Sequence, residues 1–78
     1  MPCYFFDFHD GHIQEHDGEG LELEDPEQAR TEAVRTLGKV VLEALPCGPH
    51  REFEVVVRSE EGKPIFRATI TIAEQRLD

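Results

Sequence analysis

The feature that most constrains the fold is a helical segment that begins at Asp25 and Pro26, between two stretches with strand-like patterns. Asp25 can cap the helix, Pro26 suits its first position, and Gln28 stands where a capping-box side chain reaches back. The segment from Pro46 to Pro49 cannot easily continue a helix, so we expect it to end by Leu45. At about 100° per residue, one stripe collects the apolar side chains Ala29, Ala33, Leu37, Val40, Val41 and Ala44.

Alternating apolar and polar residues follow the helix and predict a β-hairpin around a turn at residues 60–63. The apolar members are Phe53, Val55, Val57, Phe66, Ala68, Ile70 and Ile72. This alternation indicates one solvated face and excludes a sheet covered by helices on both sides. The sequence therefore predicts a single α+β domain over residues 1–78, in which one amphipathic helix packs on an antiparallel sheet of two hairpins in the order ββαββ.

The N-terminal aromatic segment predicts the first hairpin. Tyr4, Phe6 and Phe8 alternate with polar or exposed positions before Asp10 and Gly11, a dipeptide that favours tight hairpin turns. A two-residue loop would place Phe8 opposite Ile13 and His9 opposite His12. The following segment, Leu21 to Leu23, fits either a strand extension or an apolar plug beneath the helix, and the pattern leaves both open.

The charge balance narrows the classes of partner. The chain of 78 residues has 17 acidic and 8 basic residues and a formal charge of −9, which disfavours long-range attraction to nucleic acid or anionic membranes. The acidity could serve a basic partner, a cation or only solubility, and solubility is favoured because acidic residues occur along the whole chain. We read Cys3 and Cys47 as reduced thiols, and because no segment resembles a membrane span or a signal peptide, we expect a cytoplasmic protein.

A family resemblance rests on three stretches of the sequence. They are the N-terminal run Pro2, Tyr4, Phe5, Phe6, Asp7, His9, Asp10 and Gly11, the segment Gly20 to Leu23, and the turn Glu61 to Pro64. These residues resemble the bacterial family catalogued as domain of unknown function 6894, over nearly the whole chain. The resemblance implies a stand-alone cytoplasmic bacterial protein and supplies no catalytic residues.

The first hairpin also suggests a metal site. His9 and His12, paired across the hairpin, could hold Zn(II) or another transition metal with Asp7 on the same face. The alternative is that these residues are solvated polar side chains on an open sheet face. Oxygen ligands for a hard cation are less favoured, because the acidic set lacks the spacing of a calcium loop. That set is Asp17, Glu19, Glu22 and Glu24.

The helix predicts a second surface beside its core stripe. Its members are Val34, Gly38, Leu42 and Leu45. Glycine inside a helix costs about 1 kcal/mol relative to alanine, so Gly38 suggests that another backbone approaches closely. A homodimer could supply that contact, or the surface could be covered within the monomer by the Leu21–Leu23 segment or by the C-terminal tail.

An enzyme is the function class with the least support. Ser59 is the only serine and has no evident base, and there is no glycine-rich phosphate loop. We therefore expect no cofactor and a non-enzymatic protein-interaction module that self-associates. Weak transition-metal binding through His9 and His12 is the alternative.

Overall fold

The fold is given by a computed structural model that describes residues 1–11, 14–44 and 50–78, with the backbone alone at residues 44, 50 and 51. One helix packs on an antiparallel sheet, which confirms the predicted α+β class. The elements are β1 (Cys3–His9), β2 (Gln14–Glu15), β3 (Leu21–Glu22), α1 (Pro26–Ala44), β4 (His50–Arg58) and β5 (Pro64–Ala73).

Helix α1 begins where its capping residues predict. The backbone N–H of Gln28 donates to the Asp25 carboxylate at 2.9 Å, and the Gln28 side chain accepts from the backbone N–H of Glu24 at 3.1 Å. This arrangement differs from a standard capping box only in that the returning side chain reaches one residue further out. Two donors at the start of the helix are thereby satisfied without tertiary contacts.

Strands β4 and β5 form the predicted second hairpin. Their register pairs Val55 with Ala68 and Phe53 with Ile70, and these four side chains lie on the face of the sheet that packs against α1. The backbone N–H of Gly62 donates to the carbonyl of Ser59 at 2.9 Å, and Gly62 takes a positive φ of 81° in this turn. The sequence pattern was therefore sufficient to define this unit.

The register of the first hairpin, between β1 and β2, differs from the predicted one. Phe8 lies opposite Glu15 and His9 opposite Gln14, so the loop contains four residues rather than two. A two-residue type I′ turn needs positive φ at both central positions, and of Asp10 and Gly11 only Gly11 has it, at 91°. The expected pairings of Phe8 with Ile13 and of His9 with His12 were wrong, and residues 12 and 13 lie outside the described part of the chain.

Strand order is set by the pairing of β1 with β4. The sheet runs β2-β1-β4-β5, and β3 pairs with β1 at Tyr4 and Leu21. Phe6 lies opposite Val57 and Phe8 opposite Val55, which brings the N-terminal aromatics onto the face that α1 covers. The buried core comprises Tyr4, Ala29, Ala33, Leu37, Phe53, Val55 and Val57.

The Leu21–Leu23 segment combines both of its possible roles. Leu21 and Glu22 form the short strand β3, while Leu23 packs against the core and its N–H donates to the carbonyl of Pro2 at 3.1 Å. Leu23 is partly buried, and the apolar area that it removes from water helps to hold the start of α1 against the sheet.

Candidate interaction surfaces

The α1 outer surface, defined here as Val34, Gly38 and Leu42, is open to solvent. The side chains of Val34 and Leu42 are 46 % and 73 % exposed. Neither is covered by the Leu21–Leu23 segment or by the C-terminal tail, since that cover would have buried them. Leu45, the fourth predicted member, lies outside the described residues.

Gly38 lacks the close neighbour that the sequence suggested. A Cβ atom built at Gly38 would meet no heavy atom within 4 Å in the described part of the chain, apart from the helix's own nearby backbone. Alanine would therefore fit in the monomer and would favour the helix by about 1 kcal/mol. A requirement for glycine at this position has to come from a contact outside the described monomer.

The charges of α1 balance although the chain as a whole is strongly acidic. The helix contains three acidic and three basic residues. Arg30 lies 3.3 Å from Glu27 and Arg35 lies 3.8 Å from Glu32, and these exposed i,i+3 pairs contribute little to stability. The helix as a whole therefore has a formal net charge of zero.

The predicted histidine site depended on the pairing of His9 with His12, and the strand register does not contain that pair. His9 lies opposite Gln14, and His12 lies outside the described residues. Asp7 directs its carboxylate to Arg58, with an Nε–Oδ2 distance of 2.6 Å. Within the described residues no group of three or more His, Cys, Asp or Glu side chains is placed to hold a metal ion. Binding of Zn(II) or another transition metal through Asp7, His9 and His12 stays a prediction.

A polar network on the sheet face opposite α1 connects Asp7, Arg58 and Asp17. Arg58 donates twice to the Asp7 carboxylate, through Nε at 2.6 Å and Nη2 at 3.1 Å, and Nη2 also donates to the Asp17 carbonyl at 2.8 Å. The guanidinium lies 5.1 Å from the centre of the Phe5 ring, within cation–π range. The network therefore ties β1, β4 and the loop after β2 together.

Asp17 organises the loop between β2 and β3. Its Oδ1 accepts the backbone N–H groups of Glu19 and Gly20 at 3.0 and 3.1 Å, and its Oδ2 accepts that of Phe6 at 3.1 Å. The carboxylate thus pairs with the edge of β1 at a point between the short strands β2 and β3. Asp17 serves here as a backbone anchor, in a loop that the sequence had suggested only as a weak source of cation ligands.

The electrostatics of the network favour ionised carboxylates. Partial burial alone would raise the pKa of Asp7, but the hydrogen bonds from Arg58 and from the Asp17 backbone, with the positive charge of Arg58, bring it below the ordinary value. For Asp17, partial burial opposes the backbone hydrogen bonds from Gly20, Phe6 and Glu19, and the net effect again lowers the pKa. His16, 72 % exposed, lies 3.4 Å from Asp7 at the rim.

Sequence reasoning missed the roles of Arg58 and Asp17. The spacing Asp17-Gly18-Glu19-Gly20 is a recognisable signal, because aspartate commonly accepts hydrogen bonds from backbone N–H groups two or three residues later. No comparable local signal identifies Arg58, which meets Asp7 only through the pairing of β1 with β4.

A profile of the family described as domain of unknown function (DUF6894) matches residues 3–71, from the first residue of β1 to within two residues of the end of β5. The chain belongs to this family. No curated protein and no solved structure matches it. Within the part of the chain that the structure describes, no helix has the length and apolar character that crossing a bilayer requires.

Proposed function

We propose that this protein is a non-enzymatic protein-interaction module that self-associates through the α1 outer surface. The observation that carries the proposal is the exposure of Val34 and Leu42 on either side of Gly38. Large apolar side chains at 46 % and 73 % exposure on one helix face, around a residue without a side chain, are typical of a contact surface.

A second copy of the chain suits this surface because the surface is self-complementary. Val34 and Leu42 are each four residues from Gly38, at about 1.5 Å rise per residue along the helix. A twofold axis at Gly38 would therefore set Val34 of one copy against Leu42 of the other, twice, in an antiparallel helix pair. The two glycines would permit the helix axes to approach to about 8 Å, at the short end of helix packing distances.

Charge also favours self-association at this helix. Two copies that each carry a formal charge of −9 repel one another in general, and α1, with three acidic and three basic residues, contributes nothing to that repulsion. We place the activity in the bacterial cytoplasm, with protein rather than nucleic acid or membrane as the partner.

Multi-angle light scattering over a range from low to high micromolar concentration tests the proposal. We expect the molar mass of the wild type to rise above that of one chain, and Leu42→Glu to lower it at each concentration. Leu77→Glu is the matched control, because Leu77 is 87 % exposed and lies in the C-terminal tail. A wild type that stays monomeric throughout, or equal effects of the two variants, would defeat the proposal.

A further inference from the structure

Strand β5 presents a long open edge. It spans ten residues, Pro64–Ala73, and among the strands that the structure describes β4 is its only neighbour. The backbone N–H and C=O groups that point away from β4 are therefore available to another strand. Such edges are templates for pairing with a further chain.

The usual protections of an edge strand are sparse in β5. Natural proteins guard edges with charged side chains, prolines, bulges or shortness. β5 has one charged residue, Arg67, and one proline, Pro64, at its first position. The register irregularity of the hairpin lies between Val57 and Arg58, at the turn end. The rest of the edge is regular and rich in β-branched residues.

Apolar side chains along β5 are incompletely covered. On the face towards α1, Phe53, Val55 and Val57 of β4 are at most 1 % exposed, whereas the corresponding side chains of β5 are half-buried. Those half-buried side chains are Phe66, Ala68, Ile70 and Ile72. Ile65 is 42 % exposed. The β5 edge thus leaves apolar area that a neighbouring sheet could cover.

The flank of α1 above β5 adds to this apolar area. Arg30 lines a shallow cleft with Ile65 and Phe66, which shows that this flank of the helix faces β5. Val34 lies one turn further along on the same flank, since residues i and i+4 are neighbours on a helix surface. Its side chain is 46 % exposed, so it adds apolar area to the flank of α1 that faces β5.

The charge distribution distinguishes the two edges of the sheet. The first 25 residues, which include β1, β2 and β3, contain eight Asp or Glu and no Lys or Arg. β5 contains no Asp or Glu. The acidic residues are therefore denser towards the β1 edge of the sheet, and a second acidic chain meets less repulsion at the β5 edge than at the β1 edge.

From these observations we propose that two copies of the chain pair antiparallel along β5, about a twofold axis at Thr69. The sheets would join into one continuous sheet, with both helices on the same side and the acidic edges at its two far ends. Facing α1, Phe66 would pair with Ile72 of the other copy and Ala68 with Ile70.

The register centred on Thr69 follows from three features of β5. It leaves Pro64, which has no N–H to donate, outside the paired region. It sets Arg67 opposite Thr71 of the other copy, so the two arginines stand about 13 Å apart along the strands. It also pairs Thr69 with itself, and threonine pairs are favourable across strands. Every helix-side pair in this register is apolar.

This contact adjoins the proposed α1 contact at Val34, but Leu42 belongs only to the α1 contact and Thr69 only to the β5 contact. Leu42 points away from the sheet, and Thr69 lies on the opposite face of it, exposed. A molecule that uses both contacts would form assemblies larger than a dimer. Variants on the two surfaces therefore report on the two proposals independently.

Site-specific cross-linking tests the register. In the full chain with Cys3→Ala and Cys47→Ala, Thr69→Cys would place two thiols on directly opposed residues, about 4.5–5.5 Å apart at Cα, within the range of a disulfide. Thr71→Cys is the matched control on the same face, and its two copies would stand about 13 Å apart. On mild oxidation we expect a covalent dimer from Thr69→Cys at least tenfold more abundant than from Thr71→Cys.

The results of cross-linking and light scattering distinguish β5 pairing from the α1 contact. Preferential cross-linking at Thr69 that persists when Leu42→Glu is added supports β5 pairing. Equal cross-linking at both positions, or none at Thr69 while Leu42→Glu still lowers the molar mass, overturns β5 pairing and leaves the α1 contact standing. Thr69→Lys provides a second measurement: it should remove whatever dimer the Leu42→Glu variant retains, and retention of that dimer would count against the inference.

Discussion

Asp7 and Arg58, which are 51 positions apart in the sequence, form a two-pronged ion pair across the junction of β1 and β4, with N–O distances of 2.6 and 3.1 Å. Both side chains are about 80 % buried, at 20 % and 18 % exposed. A pair in this setting is screened less than a surface ion pair, and its geometry fixes both strands.

Asp7→Asn should destabilise the protein by about 1–2 kcal/mol, since it replaces a charged acceptor of several hydrogen bonds by a neutral one. Chemical denaturation at pH 7 measures this difference. Asp78→Asn removes the carboxylate of an exposed ion pair with Arg76 and should have no measurable effect. Equal stability of Asp7→Asn and wild type would contradict the structural role of the pair.

The stability of the wild type should fall in acid because of Asp7 and Asp17. Their folded-state pKa values lie below the ordinary value of 3.8, so their ionised forms stabilise the fold above about pH 5, and this contribution is lost as the pH falls through the lowered pKa values. Unfolding measured from pH 7 to pH 2 should show a smaller loss for Asp7→Asn than for the wild type. An identical acid limb in the two proteins would contradict the lowered pKa of Asp7.

Gly20→Ala should destabilise the fold by about 2–3 kcal/mol, from strain at positive φ together with overpacking. Gly20 has a φ of 76°, and an added Cβ would lie 2.5 Å from the Cys3 Sγ and 2.9 Å from the Phe5 Cε1. Gly62→Ala is the control for backbone strain alone, because Gly62 has a φ of 81° and an added Cβ would meet open space. Thermal unfolding should place Gly62→Ala between wild type and Gly20→Ala, and a reversed order would argue against this packing.

Asp25→Ala should cost about 1 kcal/mol, because the N–H of Gln28 loses the side-chain acceptor that caps α1. Asp25→Ser keeps a capping oxygen and should retain most of the stability. Urea denaturation with helix-specific circular dichroism measures both variants. If the alanine and serine variants were equally stable, the cap would contribute nothing beyond the local backbone.

Gly38→Ala separates the stability of the monomer from self-association. At low micromolar concentration it should raise the free energy of unfolding by about 0.5–1 kcal/mol, since the helix gains propensity and the added Cβ meets open space. At high micromolar concentration it should reduce the α1 contact, because the added methyl groups hold the helices apart. Thr36→Ala raises helix propensity on another flank and should leave self-association unchanged. Unaltered association in Gly38→Ala would indicate that the helices do not meet at this glycine.

Local sequence patterns predicted the elements whose stabilising contacts lie within a few residues of one another in the sequence. The Asp25 cap, the start of α1 at Pro26 and the β4–β5 hairpin depend on backbone geometry and side-chain periodicity over short spans, and all three were predicted. The family was identified from sequence as well, from residue types and spacing in three stretches of the chain.

For the first hairpin, local patterns predicted the antiparallel pair of strands but not its register. Asp10 and Gly11 indicated a two-residue turn, but Asp10 does not take the positive φ that such a turn needs, and the residue type alone does not fix that angle. The observed register differs from the predicted one by two residues, an even number, so the inward and outward faces of β1 are as predicted. The pairing of His9 with His12 is not present. The error in loop length thus concerned the pairing of His9 with His12 and left the core unchanged, and metal binding there stays a prediction.

The sequence by itself determined the helix, the inward-facing residues of β1, β4 and β5 and the α+β class, because these follow from propensities and periodicities that act locally. Only the tertiary structure decided that β1 pairs with β4, that Arg58 meets Asp7, and that β5 remains at an edge. The physical reason is that pairing between distant strands depends on how the whole apolar face packs beneath α1, and no short segment encodes that packing. The exposure of Val34 and Leu42 and the open edge of β5, on which the proposed contacts rest, are consequences of the same packing.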